Sequence, residues 1–211
     1  MPNNLLVQYG CGLSAPPGWI NFDASPTLRL QRLPLVGQVL TRSRAQFPRH
    51  VRFGDVVRGL PIEDGECRAV YASHIIEHLS LDDARFALRE TRRLIANEGR
   101  FRIIVPDLEV MARRYVNGAA VGDPGASTAF MLDTRLGHER RQRGLSGLLE
   151  TFLGNANHLW MWDQYSLEEE LRKAGFTRIR PATFGDSEEP AFRDVEAETR
   201  FRNSVAFEAS P

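Results

Sequence analysis

The sequence predicts an α/β domain built on a mostly parallel seven-stranded sheet flanked by helices. Two observations carry this reading. Seven short β-prone runs recur along the 211 residues, and several are apolar nearly throughout, as strands buried on both faces are. Capped helical segments stand between some of them, and strands alternating with helices are the pattern of a parallel sheet.

The runs are LLVQY (Leu5–Tyr9), WINFD (Trp19–Asp23), VRFGDV (Val51–Val56), CRAVYAS (Cys67–Ser73), RFRIIVP (Arg100–Pro106), TRIRPAT (Thr177–Thr183) and NSVAFEA (Asn203–Ala209). One helix is expected after Ser80, an N-cap with Asp83 at the capping-box position. Ala84, Ala87, Leu88, Thr91, Leu94 and Ile95 then follow at helical spacing, and Gly99 supplies a left-handed stop. A second helix is expected from Ser166, paired with Glu169, up to Gly175, and a weaker third after Pro106. Ala24–His50 and Asn117–Asn157 lack this rhythm and are long for simple connections. The chain reads as a single domain, 1–211, with a lid or insertion at 117–157.

Composition narrows the function. Lys+Arg and Asp+Glu are equal at 27 each, so no global field holds a nucleic acid or an anionic membrane. The two cysteines, Cys11 and Cys67, are not a CxxC pair, which argues against a disulfide scaffold or a cysteine zinc site. The first residues, MPNNLLVQYG, do not read as a signal peptide, and no apolar run approaches a membrane span. A soluble, cytoplasmic protein is expected.

Sheets of this kind bind ligands at the carboxyl ends of their strands. Gly10-Cys11-Gly12 follows the first strand, where missing side chains let a backbone approach a ligand. Asp23 ends the second strand and suits two ribose hydroxyls. Asp55 leaves the third and suits an adenine amino group. A dinucleotide fingerprint fits poorly, because Pro16-Pro17-Gly18 leaves little room for a phosphate-binding helix. The set outlines a pocket for an adenosine-bearing ligand without a phosphate tail.

YGCG, PGWINFDASP, GDVVRGLPIEDGE, VYASHIIEHL, RETRRLIANEGRFRIIVPDLE and NHLWMWDQYSLEEELRKAGF occur in that order. In this combination the chain resembles the small, single-domain class I S-adenosylmethionine-dependent methyltransferases of the methyltransferase-11 kind. The resemblance implies a Rossmann-like fold and S-adenosylmethionine as cofactor. Carried over, Gly10, Cys11 and Gly12 line its methionine portion, Asp23 holds the ribose, and Asp55 with Val56 holds the adenine. Ser73 and His74 then lie beside the methionine end and the substrate. The chain departs from the family pattern at Gln8, Ser14 and Arg68, and its first crossover is short for a helix.

HIIEH, from His74 to His78, has the His-x-x-Glu-His spacing of some zinc sites. A zincin places its histidines on a full helix and needs a third ligand. Here Leu79-Ser80 end any turn at once. No metal is therefore expected; His74 faces the active site, and Glu77 and His78 support the turn. Histidine suits a general base near neutral pH, so His74, His158 and His138 are the catalytic candidates. The expected partner is a small-molecule methyl acceptor, a sugar or secondary metabolite with a hydroxyl or amine. A homodimer is allowed; nucleic acid and membrane are not expected. The alternatives are a catalytically degenerate binding module of the same fold and a zinc hydrolase using HIIEH.

Overall fold

The computed structural model describes residues 4–33, 46–137 and 157–211. Seven strands form one sheet: β1 (Leu5–Tyr9), β2 (Ile20–Asp23), β3 (Arg52–Phe53), β4 (Cys67–Ser73), β5 (Ile95–Pro106), β6 (Arg178–Pro181) and β7 (Ser204–Ser210). Their spatial order is β3-β2-β1-β4-β5-β7-β6. The pairings from β3 to β5 are parallel, and β7 runs antiparallel to both its neighbours. The order reverses between β1 and β4, so the carboxyl ends of these two strands flank a switch point.

Among the described residues five helices accompany the strands: α1 (Pro26–Gln31), α2 (Leu81–Leu94), α3 (Leu108–Ala120), α4 (Ala126–Asp133) and α5 (Gln164–Lys173). Ser80 caps α2 by accepting from the Asp83 amide, as expected. Ala84, Ala87, Leu88, Thr91 and Leu94 then bury one stripe of α2 against the sheet. Leu167 and Leu171 of α5 join the same core, with Val7, Val70, Phe101, Ile103 and Phe207 from the strands. A second cluster, Trp19, Ala69, Tyr71, Ile104, Phe192 and Ala206, holds alternate residues of β4, β5 and β7 against the 3-10 turn Pro190–Asp194. The period-two alternation of strands accounts for this division into two faces.

Three expectations change. Helix α2 ends at Leu94 and passes straight into β5, so Gly99 is not a helix cap. Gly99 sits where the β4–β5 register shifts, and a Cβ there would stand 2.6 Å from the Cys67 carbonyl oxygen. It is required by the close approach of a neighbouring strand. Helix α5 starts two residues before Ser166: Asp163 is the N-cap, and Ser166 returns the bond as the third residue of a capping box. The third strand is only Arg52–Phe53, and Gly54 after it packs so close to the Phe22 ring that a Cβ there would lie 2.4 Å from its Cδ1. The remaining sequence elements fall where expected, including α3 after Pro106, capped by Asp107.

The segment expected to be a lid divides. Residues up to 120 belong to α3, and α4 folds back on it through a Tyr115–Phe130 ring contact at 5.5 Å and an Arg114–Asp133 pair at 2.9 Å. Residues 138–156, with His138, lie outside the described residues. Among the described residues no helix is long and apolar enough to cross a membrane.

One strand residue overturns the picture of an apolar interior. Arg102 of β5 is fully buried, and its guanidinium meets Glu196, Glu208 at 3.2 Å and Asp186 at 2.7 Å. Three carboxylates from the C-terminal part of the fold thus converge on one cation. The pairing ties residues 183–208 to the sheet and positions Arg200 and Arg202 above its carboxyl edge.

Candidate functional site

The residues singled out in the sequence collect at the carboxyl edge in two neighbourhoods. The first is the β1–β2 connection. Gly10 and Gly12 have φ of 64° and 55°, a region open to glycine at little cost. No helix forms here, as the short crossover implied. Side chains hold the loop instead. The buried Gln8 amide donates to the Ser14 carbonyl at 2.6 Å and to the Asn21 side chain. Asn21 in turn donates to the carbonyls of Pro16 and Trp19. Gln8, a departure from the family pattern, is therefore the loop's tether.

Asp23 completes this loop. Its Oδ2 accepts from the Gly12 amide at 2.9 Å and its Oδ1 from the Ser25 amide at 2.7 Å. Each oxygen keeps acceptor capacity for a further donor such as a ribose hydroxyl. A Cβ on Gly12 would meet nothing within 4 Å, so the space over this glycine is open. The Cys11 side chain packs with Leu28 and Val51, and burial followed by the Asp23 charge pushes its thiol up to about 12. Cys11 is thus a packing residue that presents only backbone. Asp55 caps the following 3-10 turn by accepting from the Val57 amide and pairs with Arg58 at 3.4 Å. Val56 is a core residue beside Leu60. Open space at Gly12 and the spare lone pairs of Asp23 fit an adenosine-type cofactor.

The second neighbourhood begins where β4 ends. Ser73 is its last residue, and His74 follows with φ of 57°, unusual for a non-glycine side chain. The His74 amide donates to the Ile104 carbonyl at 2.8 Å, which fixes this turn against β5. Ile75 then reaches back over Gly10: a Cβ built there would lie 2.0 Å from its Cδ1. The two neighbourhoods touch at this contact.

HIIEH is therefore a strand end and one 3-10 turn, Ile76–His78, rather than a helix. The Glu77 carbonyl accepts from the amides of Leu159 and Trp160, at 2.7 and 3.2 Å, and this brings His158 alongside. The His78 and His158 rings meet edge-on, with centroids 4.9 Å apart. His74, Glu77, His78 and His158 form one side of a cavity of about 470 Å³. Arg114, Arg135, Arg200 and Arg202 also line it, against Asp133 as the one further acid among the described lining residues. The cavity is cationic and suits polar or anionic oxygen groups.

Hydrogen bonds assign the ring protons. His74 Nε2 lies 2.9 Å from the Arg200 carbonyl, and His78 Nδ1 lies 2.8 Å from the Asn157 carbonyl. A carbonyl only accepts, so each of these nitrogens donates. The opposite nitrogens face Glu77, with His74 Nδ1 at 3.5 Å and His78 Nε2 at 4.0 Å. Burial lowers the His158 pKa, against an opposing pull from Glu77, so the ring is neutral near pH 7.

Of the three candidate bases, His74 and His158 share this cavity; His138 lies outside the described residues. Glu77 as the buried centre of the site and the four arginines were not read from the sequence. The arginines come from α3, the end of α4 and the segment before β7, and no local spacing links them.

Residues 7–103 match the methyltransferase-11 family model, described as a methyltransferase domain. No curated protein matches the sequence. Among solved structures, an S-adenosylmethionine-dependent methyltransferase from Archaeoglobus fulgidus aligns with 99% of this chain and 86% of its own, at TM-score 0.53 and 12% identity. The PH0226 protein from Pyrococcus horikoshii OT3 aligns with 98% of this chain and 81% of its own, at TM-score 0.51 and 15% identity. PigF with SAH aligns with 99% of this chain at TM-score 0.49 and 14% identity, and this chain spans 50% of it. At such identities these likenesses concern the fold. Sheet order, glycine loop and the match over residues 7–103 agree: they are consistent with a class I methyltransferase, the kind whose cofactor is S-adenosylmethionine.

Proposed function

We propose that this protein transfers a methyl group from S-adenosylmethionine to a hydroxyl or amine of a small, anionic acceptor, such as an acidic sugar or secondary metabolite. The observation that carries the reading is the cationic cavity beside His74, adjoining the glycine loop through Ile75 and Gly10. Gly10, Cys11 and Gly12 would hold the methionine portion through backbone, Asp23 the ribose, and Asp55 with Val56 the adenine edge, while Ser73 and His74 border the reacting end. When bound, the cofactor supplies an activated methyl group on a sulfonium.

The chain's own residues then have three tasks. Arg135, Arg200 and Arg202 bind the acceptor's anionic group and orient it. A neutral imidazole accepts the proton that the acceptor's hydroxyl or ammonium must lose. His158, kept neutral by burial, is the better supplied base; His74, with Nε2 committed to the Arg200 carbonyl, positions the acceptor. Walls formed by Pro106, Val110 and Met111 limit water.

The test is a methyl-transfer assay over a panel of acceptors that differ only in whether they carry a carboxylate or phosphate. Turnover confined to the anionic members is expected. His158→Ala should then lower kcat by about a hundredfold or more with little change in KM. Arg200→Ala should raise KM. Equal turnover of neutral and anionic acceptors would remove the specificity assignment.

A further inference from the structure

The Glu77 carboxylate is fully buried, and neither oxygen has a hydrogen-bond partner among the described residues. An ionised carboxylate in that position is costly unless something positive meets it. The groups that face it are two imidazole nitrogens, His74 Nδ1 and His78 Nε2. In the neutral rings these nitrogens carry lone pairs, because the opposite nitrogens donate to backbone carbonyls. Lone pairs directed at a carboxylate call for a cation between them.

Three donors meet that demand together. One ligand atom each from Glu77, His78 and His158 lie within 4.8 Å of one another. We infer that Glu77, His78 and His158 bind a divalent first-row transition ion of the zinc class. Two imidazoles and one carboxylate are a common donor set for such an ion. Tetrahedral ligands stand roughly 3.4 Å apart, so binding draws the three atoms together by about 1.5 Å at most. The outer hydrogen bonds are those a metal site requires. The Asn157 carbonyl fixes the His78 ring with Nε2 inward, and His158 Nδ1 lies 3.2 Å from the Met161 sulfur.

The site lies on the wall of the cationic cavity, so coordination positions not filled by protein open toward it. An ion there takes the His158 lone pair, so the metal-bound ring is not the base proposed above, and the ion instead offers a Lewis-acidic contact to an oxygen of whatever occupies the cavity. It also cross-links the turn after β4 to the segment leading to α5, elements already joined by the Glu77 carbonyl's two hydrogen bonds and by His78 to the Asn157 carbonyl. The inference reverses the sequence expectation that no metal binds here. HIIEH supplies two ligands from a 3-10 turn, and the third comes from a residue 80 positions along the chain.

The chain is stripped with a chelator, returned to metal-free buffer at pH 7.5, checked for native circular dichroism, and titrated with zinc sulfate by calorimetry and elemental analysis. One zinc per chain is expected, with a rise in Tm. Glu77→Gln and His158→Ala should each weaken uptake by about tenfold or more. His50→Ala, an exposed histidine remote from the cluster, should retain it. Folded wild type that takes up no zinc, or variants that bind it as tightly as wild type, would overturn the assignment. Should either variant misfold, His78→Gln replaces it, and the wild-type stoichiometry decides on its own. Cofactor binding does not enter these readouts, so failure here leaves the methyl-transfer reading standing.

Discussion

The Gly12 amide donates to the Asp23 carboxylate at 2.9 Å, joining the turn after β1 to the end of β2. One carboxylate therefore shapes the glycine loop, and the proposed function also gives it the ribose. Asp23→Ala removes both roles and is expected to weaken S-adenosylmethionine binding by about tenfold or more. Asp23→Asn, which keeps one acceptor oxygen, should lose less. Calorimetric titration of both variants checks the order; equal affinities in all three proteins would separate Asp23 from the cofactor.

Gln8 holds the same loop from below. Gln8→Ala leaves the Ser14 carbonyl and the Asn21 side-chain oxygen without that donor. Stability should fall by about 1–3 kcal/mol, read from urea unfolding. Gln8→Asn is too short to reach both acceptors and should recover only part of the loss.

Gly10 is constrained twice, by φ of 64° and by Ile75. Gly10→Ala should destabilise by about 1–3 kcal/mol through overpacking and backbone strain together. Adding Ile75→Ala should remove the clash and leave the strain, so the double variant is more stable than the simple sum of the two single changes allows. Additive losses would show that Ile75 does not pack on Gly10.

Arg102→Met strands Glu196 and Glu208, both buried, without their shared cation. A loss of about 3–5 kcal/mol is expected. A change under about 1 kcal/mol would mean that Arg180 and the remaining hydrogen bonds suffice for these acids.

The Arg85–Glu170 pair gives a pH signature. Hydrogen bonds from Arg85, opposed by burial and aided by Lys173, lower the Glu170 carboxyl to about 2 from 4.5. A depressed carboxylate contributes stability that is present in full above its unfolded pKa and is lost as pH falls from about 4.5 toward about 2. Comparing acid unfolding of wild type and Arg85→Ala checks this. The variant should show a shallower decline through that window; identical curves would count against the pair.

Much of the frame was legible because it rests on local rules. Seven β-prone runs gave seven strands in one sheet, and Ser80 and Gly175 marked helix ends through capping and left-handed geometry. The errors have one cause. Neighbours in sequence do not reveal the roles of Gly99, Ser166 and Gly54, which follow from contacts across space or from a cap three residues earlier. Arg102 was hidden for the same reason, since its partners lie some 80–100 residues later. Gly10, Gly12 and Asp23 could be placed at the carboxyl edge because each stands at or just after a strand's end. The meeting of Glu77 with His158 could not, because two backbone amides make it.

The most direct test of the functional reading is calorimetric titration of the purified protein with S-adenosylmethionine and S-adenosylhomocysteine, with NAD as control. Binding of both at one site per chain with micromolar affinity, and no heat from NAD, is the expected result. Folded protein that binds neither would contradict it and leave a methyltransferase fold serving as a binding module.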